Sequence, residues 1–245
     1  MKNIVILGAT SAIAESTALE LGFKYPQANL FLVARNSDRL KLVSQNIKLR
    51  THCHTLEYIY DLADHSVHQK LIHHFENLKI DLCFIAYGIL GDQKLAENDF
   101  SKALEIINAN FTSAVSLLSL FANLMEKENH GTIAVISSVA GDRGRQSNYY
   151  YGSSKGALTI FLSGLRNRLS KKNIHVMTIK PGFVDTPMTQ NIQKGPLFVK
   201  PQKIAKDIVR GIECKKDVIY TPFFWRYIML IITHIPERIF KKLSL

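Results

Sequence analysis

Ile4-Val5-Ile6-Leu7-Gly8-Ala9-Thr10-Ser11-Ala12-Ile13-Ala14 is the stretch that decides the fold. Four aliphatic residues in a row have the length and branching of a buried strand. A turn of small residues follows at once, and helical periodicity runs over 12–22. A parallel strand covered on both faces reads as an uninterrupted apolar run, and a helix behind it begins a crossover. The unit recurs: apolar runs of strand length fall at 30–34, 58–60, 82–86, 132–136, 176–179 and 218–220. Helical patterns lie between them at 37–50, 64–77, 98–127, 150–171 and 202–213. This alternation predicts a single α/β domain, a doubly wound parallel sheet of about seven strands with helices on both faces. The domain is expected over 1–221, with an apolar and basic tail over 222–245.

Composition agrees with a globular chain. At 47% hydrophobic and 21% charged residues, 245 residues can bury a sizeable single core. Cys53, Cys83 and Cys214 lack metal-like or redox-like spacing, so reduced thiols in a cytoplasmic protein are expected, with no metal site. The first apolar strand begins at residue 3 or 4, which leaves no room for a leader's own apolar region. The formal charge of +11 favours an anionic partner: nucleic acid, a membrane surface or a phosphate-bearing ligand. Basic residues are scattered and no DNA- or RNA-binding motif occurs, so nucleic acid is not expected.

The first turn carries a second message. Small side chains at Gly8, Thr10, Ser11 and Ala12, with Ile13 next on the opening helix, let a backbone approach a pyrophosphate seated on the helix N-terminus. Alanines stand at 12 and 14 where glycines are usual, and either would be strained if it needed a positive φ. Val33-Ala34-Arg35-Asn36, at the end of the second strand, lacks the acid that would bind a ribose 2′-hydroxyl. Arg35 suits a 2′-phosphate instead, which leans toward NADPH; the alternative is a solvated arginine opening the next helix. Asp61 and Leu62 follow the third strand where an adenine edge would lie. Ala86, Tyr87 and Gly88 give a second close approach after the fourth.

Further on stands Tyr149-Tyr150-Tyr151-Gly152-Ser153-Ser154-Lys155-Gly156-Ala157. Tyr151 and Lys155 are four apart, so on a helix they share a face. A free phenol titrates near ~10, and an ammonium one turn away is expected to draw that down toward the range of acid–base catalysis. Alone, the pair also fits a tyrosine-rich helix start with a solvated lysine.

With Ile136-Ser137-Ser138-Val139-Ala140-Gly141, then Tyr151-x3-Lys155, then Pro181-Gly182-Phe183-Val184-Asp185-Thr186-Pro187, the chain resembles the short-chain dehydrogenase/reductase superfamily over roughly 3–220. The resemblance implies a Rossmann-type fold, an NAD(P)H cofactor and hydride transfer to a ketone. It implies Tyr151 as general acid, Ser138 as hydrogen-bond donor to the same oxygen, and Lys155 as the group that lowers the tyrosine and reaches the ribose. Asn110, rather than the nearby Asn108, would hold a relay water. Pro181, Gly182, Val184 and Thr186 would meet the nicotinamide end. Homodimers or homotetramers are usual in such proteins. One departure is Ala86-Tyr87-Gly88 in place of Asn-Ala-Gly.

A narrower resemblance covers Tyr87–Asp92, Gly141-Asp142-Arg143, Met188 onward and Trp225–Leu243. There the chain is similar to the reductase subunit of the decaprenylphosphoryl-ribose 2′-epimerase system. That implies reduction of the 2-keto group of a polyprenyl-phosphate-linked pentose, a flavin oxidase partner that makes the ketone, and NADH rather than NADPH. The cofactor expectation therefore stays NADPH or NADH. Other readings are a reductase of a free lipid or small ketone, and a non-catalytic dinucleotide-binding scaffold. Arg143 and Arg145 could clamp a phosphate or belong to a solvated loop. The tail, Phe223-Phe224-Trp225 and Tyr227–Thr233 followed by Arg238, Lys241 and Lys242, is too short to span a bilayer, which takes about 20 apolar residues. It fits peripheral contact at the inner face of a membrane, or packing over the substrate site or a subunit interface.

Overall fold

The structure is a computed structural model and describes residues 1–190 and 193–243; Ser244 and Leu245, the end of the expected tail, lie outside the described residues. Its seven strands are β1 (Asn3–Leu7), β2 (Asn29–Ala34), β3 (His54–Ile59), β4 (Leu82–Ile85), β5 (Gly131–Ile136), β6 (Ile174–Pro181) and β7 (Val218–Thr221). All pair in parallel, in the order β3-β2-β1-β4-β5-β6-β7. Leu7 lies level with Val33 on one side and Ile85 on the other, so three strands end together at the first turn. Strand order reverses there, and such a reversal opens a crevice at the carboxyl ends of the strands.

The helices are α1 (Ala12–Lys24), α2 (Ser37–Arg50), α3 (His68–His73), α4 (Gln93–Asn98), α5 (Phe100–Ile107), α6 (Ser113–Glu128), α7 (Tyr149–Leu169), α8 (Pro201–Glu213), α9 (Trp225–His234) and α10 (Glu237–Phe240). Alternation along β1 divides the core. Val5 and Leu7 face Phe75, Leu117, Phe121 and Leu162 on the side of α3, α6 and α7. Ile4 and Ile6 face Ala14, Leu21, Leu40 and Ile208 on the side of α1, α2 and α8. Each such aliphatic side chain contributes about 1.5–3 kcal/mol by leaving water, which is why the run at 4–7 had to be apolar throughout.

Several boundaries differ from expectation. β3 starts at His54 rather than 58, because an edge strand paired only to β2 keeps His54, Leu56 and Glu57 exposed and leaves no continuous apolar run. The third helix opens with a 3₁₀ turn over His65–Val67 and ends at His73. The long helix expected over 98–127 is interrupted by a π turn, Asn108–Thr112, between α5 and α6, and α4 precedes it. The tail folds back as α9 and α10, with Trp225 and Met229 buried against Val139 and Phe183.

Candidate active site

A cleft of about 940 Å³ opens at the carboxyl ends of the strands. Every site residue anticipated above lines it except Arg143. At its floor Gly8 has φ +82°, and a Cβ there would sit 2.8 Å from Tyr87 N and 2.9 Å from Tyr87 Cα. Only glycine satisfies both demands. Gly8 N and Ala9 N donate to Val33 O at 2.9 and 3.0 Å, which locks the turn to β2. Ser11 Oγ accepts from Ala14 N at 3.2 Å and caps α1. Ala12 and Ala14 are already helical, so the alanines carry no strain. Thr10, Ser11, Ala12 and Ile13 thus present a helix N-terminus, with its partial positive charge, to the cleft.

Two arginines stand at the far end: Arg35, after β2, and Arg39, in the first turn of α2 and 3.6 Å from Glu15. The sequence had offered only Arg35. Asp61 and Leu62 form the adjoining rim. Leu62 is fixed from behind, because its carbonyl accepts from Ser113 Oγ and from His68 Nε2, the latter at 3.0 Å. Burial holds the His68 ring below its ordinary pKa, hence neutral, so Ser116 Oγ donates to its Nδ1 at 2.8 Å. Tyr87, whose phenol burial pushes up, completes the chain by donating to Ser113 Oγ at 2.8 Å. Tyr87, standing where the usual Asn-Ala-Gly has its alanine, thus braces the rim.

The opposite end is assembled around α7. Tyr151 and Lys155 lie one turn apart on its inner face, and the Tyr151 hydroxyl hydrogen-bonds Ser138. Ser138 Oγ also accepts from Ala140 N at 3.1 Å, holding the 3₁₀ turn after β5. Lys155 Nζ donates to Ile136 O at 3.0 Å. Gly88, at φ +155°, passes so close that a Cβ there would run into Asn110 Oδ1 and come within 3.4 Å of Lys155 Nζ. Asn110 is buried in the π turn, a feature that recurs at functional sites. Its amide donates to Ile89 O at 2.7 Å and Ile106 O at 2.9 Å, while its Oδ1 accepts from Ile89 N at 3.1 Å. Both amide hydrogens are therefore committed, and a water held here would donate to the second lone pair of Oδ1 or use the backbone.

Three glycines that sequence reasoning passed over set the spacing of these groups. A Cβ on Gly141 would lie 2.7 Å from Gly156 N, one on Gly156 2.9 Å from Gly141 O, and one on Gly152 2.8 Å from Ala140 O. The Ser138 loop and α7 therefore meet backbone to backbone. Gly152 and Gly156 inside a helix, where glycine costs about 0.5–1 kcal/mol relative to alanine, were the available signal.

Electrostatics departs from expectation at one point. Burial raises the Tyr151 phenol above its ordinary value, partly offset by the bond to Ser138. The Lys155 ammonium is pushed down to about 8, also by burial. Both groups have lost hydration, and the Lys155 nitrogen lies 6.0 Å from the Tyr151 ring centre. The depression of Tyr151 by Lys155 anticipated from their spacing is therefore absent here: desolvation sets the direction, and the one lowering influence is the bond to Ser138.

The two loop arginines separate. Arg143 does not clamp a ligand: its Nη1 donates to Ile232 O at 2.6 Å and Ile235 O at 2.7 Å, and its Nη2 pairs with Glu237 at 2.9 Å. Its guanidinium also lies 3.6 Å from the Phe240 ring centre. Arg145 does line the cleft, with its buried Nε and the buried Asn148 Oδ1 both lacking a partner. Asp142, just before the two arginines, is tied down by Lys180 Nζ at 2.5 Å and by the Tyr220 hydroxyl, which donates at 2.8 Å. Pro181, Gly182, Val184 and Thr186 form the facing wall. Gly182 lies against the Trp225 indole, which leaves no space for a Cβ.

The short chain dehydrogenase family profile matches residues 2–196. An uncharacterized oxidoreductase of Mycobacterium tuberculosis is 33% identical over 246 residues, covering 98% of this chain and 96% of the relative. One from Streptomyces coelicolor is 30% identical, covering 99% and 96%. Among solved structures, a short-chain dehydrogenase from Sphingobium yanoikuyae in complex with NADPH superposes with a TM-score of 0.84 at 18% identity, covering 97% of each chain. A short chain dehydrogenase from Burkholderia cenocepacia in complex with NADP gives 0.83 at 17%, covering 100% of each. The matched profile extends from the first strand past the Pro181-Gly182 wall, and the chain therefore belongs to the short chain dehydrogenase family as one of its oxidoreductases.

Proposed function

We propose that the protein reduces a ketone to a secondary alcohol with NAD(P)H, using Ser138, Tyr151, Lys155 and Asn110. The observation that carries this reading is the half-buried Tyr151 hydrogen-bonded to the buried Ser138, beside Lys155 within one cleft. The cleft's other end fits a dinucleotide. Gly8 and the α1 N-terminus suit a pyrophosphate, Ala86, Tyr87 and Gly88 a close backbone approach, and Asp61 and Leu62 an adenine edge. Pro181, Gly182, Val184 and Thr186 suit the nicotinamide end.

When bound, NAD(P)H supplies the hydride that attacks the carbonyl carbon. Tyr151 donates the proton to the oxygen as it becomes an alkoxide, and Ser138 hydrogen-bonds that oxygen to stabilise its developing charge. A phenol kept protonated by burial is suited to giving a proton in this direction. Lys155 supplies positive charge beside the tyrosinate that remains, and Asn110 fixes the loop that carries Gly88. Tyr151→Phe is expected to lower reduction about 10³-fold or more while dinucleotide binding, followed by fluorescence titration, persists. A scaffold would lose neither, and an undiminished reduction rate would remove the assignment.

Arg35 and Arg39 favour NADPH over NADH, since two guanidinium groups are well suited to a 2′-phosphate. The double change Arg35→Ala, Arg39→Ala should cut kcat/KM for NADPH about tenfold and leave NADH use within about twofold. Equal losses on both would assign the pair another role.

For the substrate, the narrower resemblance points to the 2-keto group of a polyprenyl-phosphate-linked pentose, made by a separate flavin oxidase. Arg145 supports it: a cleft-lining guanidinium with a buried, unpartnered Nε suits a phosphate oxygen, and Asn148 Oδ1 suits a sugar hydroxyl. Exposed Leu95, Phe100, Leu104 and Ile160 on α4, α5 and α7 support a homodimer or homotetramer.

A further inference from the structure

We infer that the outer face of α9 and α10 is a docking surface for an anionic lipid bilayer. Helix α9 is apolar on two sides. Trp225 and Met229 are buried, and Phe224, Ile228 and Ile232 pack beside them. On the other side Phe223, Tyr227, Leu230 and Ile231 are 73, 61, 57 and 67% exposed. Phe223 sits in the turn just before α9, and Tyr227, Leu230 and Ile231, at i, i+3 and i+4 on the helix, form a second apolar stripe that it extends. A helix whose only task was to cover the fold would carry polar residues there.

The flanking charge identifies the occupant. Arg226, Arg238, Lys241 and Lys242 are exposed, and none has an acidic partner among the described residues. Among the described residues of α9 and α10 the one carboxylate side chain, Glu237, is taken by Arg143. An apolar stripe with aromatic residues, bordered by unneutralised lysine and arginine, is the arrangement that sits at an anionic lipid interface. A second copy of this chain would bring the same positive charge against itself.

Arg143 makes the surface a fixed one. By holding Ile232 O, Ile235 O, Glu237 and the Phe240 ring, it sets α9 and α10 in one orientation relative to the Ser138 loop. The inner side of α9 backs the cleft, with Arg145 Nη2 3.5 Å from Met229 Sδ and Trp225 against Gly182. A docked α9 therefore brings the substrate side of the cleft within about one helix diameter, ~10–12 Å, of the lipid. Docking stands on its own; its use, presenting the cleft to a lipid-borne ketone, rests on the proposed function.

The test is co-sedimentation of the full chain with phosphatidylglycerol-containing vesicles and with pure phosphatidylcholine vesicles. The expected result is at least tenfold stronger partitioning to the anionic vesicles. Tyr227→Ser, Leu230→Ser, Ile231→Ser together should cost at least tenfold on both, and Arg238→Gln, Lys241→Gln, Lys242→Gln should abolish the anionic preference. Thermal melting checks that both variants are folded. NAD(P)H-dependent reduction of a small soluble ketone is read in parallel, so failure of the reaction and failure of docking appear separately. Partitioning of the folded serine variant equal to the unchanged chain overturns the inference. So does a fall in oligomeric mass in that variant with no vesicle binding by the unchanged chain, which would assign the face to a second copy.

Discussion

On one side of the cleft, the loop after β5 and helix α7 touch through Gly141, Gly152 and Gly156, with no side chain between them. On the other side, the wall at Pro181 and Gly182 is backed by the tail, whose hold is made by long side chains: Trp225 beneath Gly182, and Arg143 across the end of α9. Backbone contact fixes Ser138 against Tyr151 with little freedom, as the roles proposed for the two on one oxygen would require. Side-chain contact leaves the substrate wall able to change residue by residue without disturbing that pair. Rigid chemistry and adjustable recognition are thus built from different parts of the polypeptide.

The largest test of this contrast adds volume to the backbone seam. Gly156→Val places carbon against Gly141 O and must separate the loop from α7. A displacement of this kind should lower kcat about 10²-fold with dinucleotide affinity nearly kept; unchanged kcat would show the seam does not set the chemistry. Next is Lys155→Met. Burial lowers the Lys155 pKa from 10.5 to about 8, so below pH 8 the folded state bears the full cost of a buried charge. Between 8 and 10.5 the unfolded chain binds more protons, so stability rises with pH there. The methionine variant should gain about 2 kcal/mol at pH 7 after loss of the bond to Ile136 O, and the gain should fade as pH rises toward the unfolded lysine value. Chemical denaturation at pH 7 and at high pH checks the sign.

The smaller effects separate the two arginines. Arg143→Ala removes three hydrogen bonds from the tail and should cost about 1.5 kcal/mol, with faster amide exchange confined to α9 and α10. Arg145→Ala removes a desolvated charge whose described partners are a thioether contact and the field of Asp142, and its effect on stability should stay within about 0.5 kcal/mol. Under the proposed function, its effect should fall on KM for a phosphorylated ketone rather than a neutral one. Similar melting shifts in the two variants would erase the distinction.

What was legible in the sequence follows the same division. Buried parallel strands announce themselves, and Gly8, Gly88, Tyr151 and Lys155 answer local demands of backbone or helix face, so local spacing exposed them. The alanines at 12 and 14 could not be judged without knowing that α1 begins at residue 12. Arg143 was misread because its partners lie about ninety residues away, at Ile232, Ile235 and Glu237. The bracing of Leu62 by His68, Ser113 and Tyr87 joins three separate segments, and no short-range pattern encodes it. β3 was misplaced because an edge strand has only half a reason to be apolar.

The seat of Trp225 has a practical consequence. It is the chain's sole tryptophan, 2% exposed, lying against Gly182 in the cleft wall. All indole emission therefore originates from one buried point shared by the tail and the cleft. A red shift would signal release of α9 into water, and quenching without a shift would signal a ligand arriving beyond Gly182. One unlabelled optical signal can thus report on both ends of the same wall.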